Sequence, residues 1–170
     1  EDNPTLGSYY ENVARTHRKN TLQKRVTYNE GEFVGYRGYE RSGVKPLYPF
    51  GYGLSYSTFE YSDLKVEKCD GGVVVSFAVR NTGGMDAAEV AQVYVGDVEA
   101  SVPRPAKELK GYEKIFLKKG EQKRVEVMLT DEAFRFYDIF SHGFVTEPGD
   151  FNIFVGSSCE DIRLRGGVTL

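Results

Sequence analysis

The chain has 170 residues, enough for one domain of ordinary size or for one compact domain of ~110–120 residues with an appendage. Its 22 Lys and Arg residues nearly balance 25 Asp and Glu residues, and the net charge of -3 gives no general positive field for a nucleic acid. Hydrophobic residues make up 40% and aromatic residues 14%, so the composition excludes a chain that is disordered throughout.

The beginning of the chain carries no membrane or targeting signal. The opening residues EDNPTLGSYY lack the basic start and the apolar stretch of a signal peptide, and no apolar run in the chain reaches the ~18 residues of a transmembrane helix. Because the chain begins with Glu1 rather than Met, we expect a processed protein or an excised piece. Residues 15–25 contain five Lys or Arg residues and no acid, without a hydrophobic period, and they predict a solvated loop.

The segment 46–56 (PLYPFGYGLSY) combines prolines and glycines with aromatic rings. The prolines and glycines exclude a helix and interrupt any long strand. Aromatic rings bury a large area without needing regular structure. The segment therefore predicts an ordered loop held down by its aromatic side chains, which are Tyr48, Phe50, Tyr52 and Tyr56.

From Phe59 onward, apolar and polar residues alternate with the period of two that is typical of strands buried on one face. Gly-rich turn signals such as NTGG (81–84) separate the runs. Strands this close in sequence favour antiparallel sheets packed face to face, so we predict an all-β sandwich of immunoglobulin or fibronectin type III kind. Its eight candidate strands lie around 64–66, 73–79, 91–95, 115–117, 125–129, 134–136, 151–155 and 162–164.

One connection is long for such a fold. Residues 96–110 (GDVEASVPRPAKELK) separate two predicted strands, and Pro103 and Pro105 keep this stretch out of a central strand. Loops of this length are either disordered or functional.

Signals for catalysis are weak throughout the sequence. There is no Gly-x-Ser-x-Gly motif, and His17 and His142 lie in polar surroundings without a triad partner, which indicates surface histidines. Glu30 and Glu32 would point to opposite faces of an extended strand. They are therefore poor partners for each other in glycoside hydrolysis, and we expect solvated or salt-bridged carboxylates.

The two cysteines, Cys69 and Cys159, match no metal-ligand spacing. They predict unpaired thiols, and a single disulfide is the alternative. The residues themselves therefore give no catalytic residue, no cofactor-binding residue and no metal ligand.

Several long motifs in register resemble the C-terminal part of family 3 glycoside hydrolases, the β-glucosidase and β-xylosidase type. The resemblance covers nearly the whole chain from Val26 and is strongest in EGEFVGYRGYE (30–40), LYPFGYGLSYSTFEYSDL (47–64), VRNTGGMDAAEVAQVYV (79–95), PRPAKELKGYEKIFLKKGE (103–121) and EPGDFNIFVGSSCEDIRL (147–164).

This resemblance implies a modular enzyme in which a (β/α)8 barrel supplies the nucleophile and an α/β sandwich domain supplies the acid/base in many members. Residues 1–45 would end the α/β sandwich domain, with a closing strand region at 26–40. Residues 46–58 would form an aromatic linker arm, and residues 59–170 the fibronectin type III-like domain. The barrel and its Asp would precede Glu1.

The resemblance further implies a structural module that braces the catalytic domains of an enzyme acting on terminal β-linked sugars, in the periplasm or outside the cell. The 170-residue chain alone would be inactive. Its partners would be the barrel and α/β sandwich domains and, for the parent enzyme, an oligosaccharide or β-glycoside. A stand-alone carbohydrate- or protein-binding module is the alternative, and a self-contained enzyme is a third.

Overall fold

The computed structural model describes residues 29–170, which divide between Pro49 and Phe50 into two compact units. Among these residues, no helix is long and apolar enough to cross a membrane. The basic stretch 15–25 and His17 lie outside the described residues.

Within the described residues of the first unit there is one short helix, α1 (Tyr36–Ser42), which overlaps the stretch 26–40 where a closing strand region is expected. That expectation is wrong for the described residues. Glycines with positive φ flank the helix, Gly35 at 59° and Gly43 at 70°, and the left-handed conformation of Gly43 is a common way to end a helix. The guanidinium of Arg41 lies 4.0 Å from the ring centre of Phe33.

The second unit is a β-sandwich of two antiparallel sheets, as predicted. Its strands are β1 Phe59–Cys69, β2 Gly72–Asn81, β3 Ala87–Asp97, β4 Glu108–Leu117, β5 Gln122–Thr130, β6 Phe136–Asp138, β7 Gly143–Val145, β8 Asp150–Gly156 and β9 Ile162–Thr169, with a 3-10 turn at Asp131–Phe134. One sheet has three strands in the order β1-β2-β5, and the other has four in the order β4-β3-β8-β9, while β6 and β7 form a separate hairpin.

The core lies between the two sheets and consists of the alternating apolar sets that the sequence predicts. Alternate residues of β2, β3, β5 and β8 point inward, and burying a large apolar side chain contributes about 1.5–3 kcal/mol. The predicted inward sets are confirmed. They are Val73, Val75, Phe77 and Val79, then Ala91, Val93 and Val95, then Val125, Val127 and Leu129, and finally Phe151, Ile153 and Val155.

The predictions differ from the structure around residues 130–145. Phe134 lies in a 3-10 turn rather than in a strand, although its side chain is fully buried as expected. Strand β7 (Gly143–Val145) was not predicted because its three residues are too few to show an alternating pattern.

The long connection is ordered, and it is shorter than predicted because β4 already begins at Glu108. Arg104 holds it in place: its Nη1 lies 2.9 Å from Asp97 Oδ2, and its Nη2 lies 3.6 Å from Glu108 Oε2. The side chains of Arg104 and Asp97 are both buried, where an unpaired charge would be strongly unfavourable. A Cβ on Gly96 would meet the Ala106 carbonyl oxygen at 2.2 Å, so only glycine lets the connection fold back over β3.

Asn81, at the end of β2, is a buried polar hub. Its Nδ2 donates to the carbonyl oxygens of Met85 at 2.8 Å and Leu117 at 3.1 Å. Its Oδ1 accepts from the Gly83 N–H at 3.0 Å and from the Ser57 hydroxyl at 2.6 Å. The first residue of the NTGG motif therefore joins the β2–β3 turn, the end of β4 and the segment that leads into β1.

Replacing Asn81 with Ala should lower the free energy of unfolding by about 2–4 kcal/mol. The reason is that the carbonyl oxygens of Met85 and Leu117 lose their hydrogen-bond donor. Chemical denaturation of the 170-residue chain measures this change. Asn152 on β8 is exposed, and the matched variant Asn152→Ala should change stability by less than roughly 0.5 kcal/mol. Equal effects of the two substitutions would contradict the assignment of Asn81 as a hub.

Candidate functional site

The structure places Glu30 and Glu32 in a turn, and not on the extended strand that the sequence suggested. The Phe33 N–H donates to the Glu30 carbonyl oxygen at 3.1 Å, and Gly31 has a φ of 57°. Glu32 is exposed, as expected of a solvated carboxylate, whereas Glu30 is half-buried. The turn does not set the two carboxylates on opposite faces of a strand.

The remaining candidates of the sequence lie apart from one another. His142 is exposed in the turn between β6 and β7, as predicted for a surface histidine. Cys69 is exposed and Cys159 is buried, and no disulfide joins them, so the disulfide alternative is wrong. No group of three or more His, Cys, Asp or Glu residues that could hold a metal ion occurs within residues 29–170.

The aromatic arm (residues 46–58) exposes several large apolar side chains just before the sandwich begins. Within the second unit, the exposed fractions are 46% for Phe50, 50% for Tyr52, 84% for Leu54 and 92% for Tyr56. The prediction that aromatic rings hold this segment down is therefore wrong for Tyr56. Large apolar side chains exposed in a row are typical of surfaces that contact another protein surface.

The backbone of the arm is hydrogen-bonded to the sandwich. Gln92 Nε2 donates to the Gly51 carbonyl oxygen at 3.0 Å, and the Cys159 N–H donates to the Phe50 carbonyl oxygen at 3.0 Å. Gln92 lies on β3, within the four-stranded sheet, and Cys159 follows β8 of the same sheet. We call these two hydrogen bonds the arm anchor.

The side chain of Gln92 is buried, and its polar atoms are engaged. Its Nε2 also donates to the Ser157 carbonyl oxygen at 2.6 Å, and its Oε1 accepts from the Tyr94 hydroxyl at 2.5 Å. Both side chains lie on the outer face of the sheet, opposite the inward Val93, yet Gln92 is only 4% exposed and Tyr94 is fully buried. A buried amide with several partners fixes the geometry of the arm, because leaving any of these groups unpaired is unfavourable.

Gly51 makes this approach possible. Its φ of 82° lies in the region that L residues rarely adopt, and a Cβ there would lie 2.1 Å from Gln92 Oε1. The sequence motif YPFGYG therefore places glycine where the chain must turn and where a buried side chain must reach the backbone.

A second polar cluster lies where β1 begins. The Tyr61 hydroxyl donates to Glu89 Oε1 at 2.8 Å, and Arg163 Nη1 donates to the Phe59 carbonyl oxygen at 2.8 Å. Asp161 accepts from Arg163 through both carboxylate oxygens, at 2.7 and 2.6 Å. This cluster ties β9 to the first residue of the sandwich.

Burial gives Glu89 unusual acid–base behaviour. Loss of solvent raises the pKa of the Glu89 carboxyl, although the hydrogen bond from Tyr61 and the charge of Arg163 act against the rise. Burial, followed by the charge of Glu89, also raises the pKa of the Tyr61 hydroxyl. The hydrogen bonds from Arg163 hold the pKa of Asp161 below its usual value.

Sequence reasoning missed Gln92 and Tyr94. The sequence AQVYV (91–95) contains a signal for them. Gln92 and Tyr94, which can both form hydrogen bonds, occupy the outward positions of an otherwise aliphatic strand. Period-two analysis assigns such positions to solvent by default, whereas the structure buries both side chains.

Residues 89–159 match the family model described as "Fibronectin type III-like domain". The chain is 49% identical over 148 residues to thermostable beta-glucosidase B of Acetivibrio thermocellus, covering 85% of this chain and 20% of that protein. It is 46% identical over 146 residues to exo-alpha-(1->6)-L-arabinopyranosidase of Bifidobacterium longum, covering 85% of this chain and 19% of that protein.

Solved structures agree with these matches. The crystal structure of the GH3 beta-glucosidase of Bifidobacterium adolescentis superposes with a TM-score of 0.83 at 37% identity, covering 94% of this chain and 24% of that one. The chain thus spans about a fifth of the length of the curated relatives that it matches.

Replacing Gly51 with Ala should release the arm, because the new Cβ would displace Gln92 and the backbone would be strained. We expect faster proteolytic cleavage within residues 50–58 of the 170-residue chain. Gly53→Ala is the matched control, since nothing lies within 4 Å of the added atom and its φ is ordinary. Equal cleavage of the two variants would contradict the arm anchor.

Replacing Glu89 with Gln should make stability less dependent on pH. A carboxyl with a raised pKa favours the protonated folded state, so the contribution of Glu89 to the stability of the wild-type chain should fall as the pH rises above 4.5, the ordinary glutamate value. The variant should lack this loss and should be at least as stable as the wild type at pH 7. Urea denaturation between pH 4 and pH 8 measures the slope, with Glu126→Gln as an exposed control. A parallel loss of stability at every pH would contradict the assignment.

Proposed function

Because the chain is a relative of family 3 β-glucosidases and carries their fibronectin type III-like domain, we propose that it is the C-terminal structural module of a longer glycoside hydrolase. The parent enzyme would hydrolyse terminal β-linked sugars of a β-glycoside or an oligosaccharide. In this proposal the module braces the catalytic domains and takes no part in breaking the bond.

The exposed aromatic arm is the observation that carries the proposal. Linkers between independent domains are usually polar and flexible, whereas this arm presents Leu54 and Tyr56 to solvent and is fixed by the arm anchor. Covering one large apolar side chain completely would contribute about 1.5–3 kcal/mol. Several such side chains on a fixed backbone are enough to hold a module firmly against a neighbouring domain.

The proposal assigns the parts of the chain as the family resemblance implies. Residues 1–45 end an α/β sandwich domain, residues 46–58 form the aromatic arm, and residues 59–170 form the fibronectin type III-like domain. The partners are the catalytic barrel and the α/β sandwich domain of the parent, which supply the nucleophile and the acid/base. We therefore propose that the 170-residue chain is inactive alone and that the parent acts in the periplasm or outside the cell.

Sugar specificity would reside in those catalytic domains. The relatives named as a beta-glucosidase and as an exo-alpha-(1->6)-L-arabinopyranosidase are 49% and 46% identical to this chain. Two proteins named for different sugars thus resemble this region almost equally. This supports a role that is common to such enzymes whatever sugar they release.

Deleting residues 46–170, which comprise the aromatic arm and the fibronectin type III-like domain, from the parent enzyme should lower its melting temperature and leave the chemical step nearly unchanged. The reason is that the deletion exposes the surface that the module covers but removes no catalytic group. Differential scanning calorimetry measures the melting temperature. Single-turnover kinetics, at a temperature where both the full-length and the shortened enzyme are folded, measures the chemical step. An unchanged melting temperature would refute the bracing role, and a large loss in the chemical step would show that the module contributes to catalysis.

A further inference from the structure

The hairpin of β6 and β7 presents a second exposed apolar surface, distinct from the arm. The exposed fractions are 67% for Ile139, 85% for Phe140 and 70% for Phe144, and Tyr137 is about half exposed. We call these four side chains the hairpin tip. Isolated exposed apolar residues are common on proteins, but four of them on one hairpin form a patch that needs an explanation.

The hairpin tip is held in one conformation. Asp138 Oδ1 accepts from the Phe140 N–H and Asp138 Oδ2 from the Ser141 N–H, both at 3.0 Å, which fixes the turn. The rings of Tyr137 and Phe144 pack edge to face with centres 5.4 Å apart. A surface that is already ordered loses little conformational entropy when it binds, so this geometry suits a docking element.

The base of the hairpin is fixed as well. The ring of Phe136 is buried, and the guanidinium of Arg104 lies 5.5 Å from its centre. Glu147, just beyond β7, accepts from the Ser101 N–H at 3.1 Å. The long connection between β3 and β4 therefore contacts both ends of the hairpin and fixes the position of the hairpin tip.

The chemistry of the hairpin tip favours a protein surface over a sugar. Sugars are held by rings together with side chains that donate and accept hydrogen bonds. Here both carboxylate oxygens of Asp138 already accept backbone N–H groups, and Ile139 adds aliphatic surface where a sugar would need polar partners. An apolar groove on a protein is the better complement.

The cleft between β4 and β5, which a second copy of this chain would offer, is a poor match for the tip. The cleft of about 440 Å³ between β4 and β5 is lined in part by Lys110, Glu113 and Glu126. Inserting Phe140 there would remove water from charged side chains without giving them partners. The partner surface is better sought in the rest of a longer chain, since this region spans about a fifth of its relatives.

We propose that the hairpin tip is a second docking element, which inserts into an apolar groove on the catalytic part of the parent enzyme. This inference rests on the proposed function and adds to it a contact that does not involve the arm. The module would then be held at two separate places, by the aromatic arm and by the hairpin.

Carbene footprinting of the 170-residue chain and of the parent enzyme tests the proposal directly. We expect labelling of Phe140 and Phe144 to be several-fold lower in the parent than in the isolated chain. Equal labelling in both proteins would overturn the proposal. Protection in the isolated chain that grows with protein concentration would identify a second copy as the occupant and would also overturn it.

A pair of matched variants separates docking from general effects of surface polarity. Phe140→Ser should lower the melting temperature of the parent and leave that of the isolated chain unchanged. Phe116→Ser, at an exposed phenylalanine of β4, should change neither. Unchanged melting of the parent in Phe140→Ser would count against the proposal.

The same labelling experiment reports separately on the proposed function. Equal labelling of Leu54 and Tyr56 in the isolated chain and in the parent would refute the bracing role of the arm. That result is independent of the signal from the hairpin tip, so failure of one proposal can be distinguished from failure of the other.

Discussion

The position of the aromatic arm depends on one buried amide. Gln92 lies on the outer face of the four-stranded sheet, where its side chain holds the backbone of Gly51 and the chain at Ser157 at the same time. Because the amide is almost fully buried, each of its hydrogen bonds is worth more than it would be in water. The backbone at Gly51 is therefore fixed, and Leu54 and Tyr56 further along the arm are mostly exposed to solvent.

Buried polar side chains also hold connecting segments at other points of the sandwich. Asn81 joins the turns at the end where β1 begins, and Arg104 fixes the long connection at the opposite end. The aliphatic core supplies most of the stability, but it does not specify where the connections lie. Buried polar side chains fix the segments that carry the exposed apolar surfaces, and so they prepare the module for contact with a larger protein.

The sequence predicted the core because alternation with period two is a strong signal once one face is buried. Val73, Val75 and Phe77 could be assigned inward from spacing alone. Gln92 could not, because its burial depends on a segment some 40 residues away that has no regular structure. Helix α1 was missed for a related reason: its ends are set by the backbone freedom of Gly35 and Gly43, which a strand reading of the segment ignores.

Calorimetric unfolding of the parent enzyme tests the central claim most directly. If the module braces its neighbours through the arm, it should unfold together with them in one cooperative transition, at a temperature different from that of the isolated 170-residue chain. A separate transition in the parent at the melting temperature of the isolated chain would show an independently folding domain on a tether, and it would contradict this account.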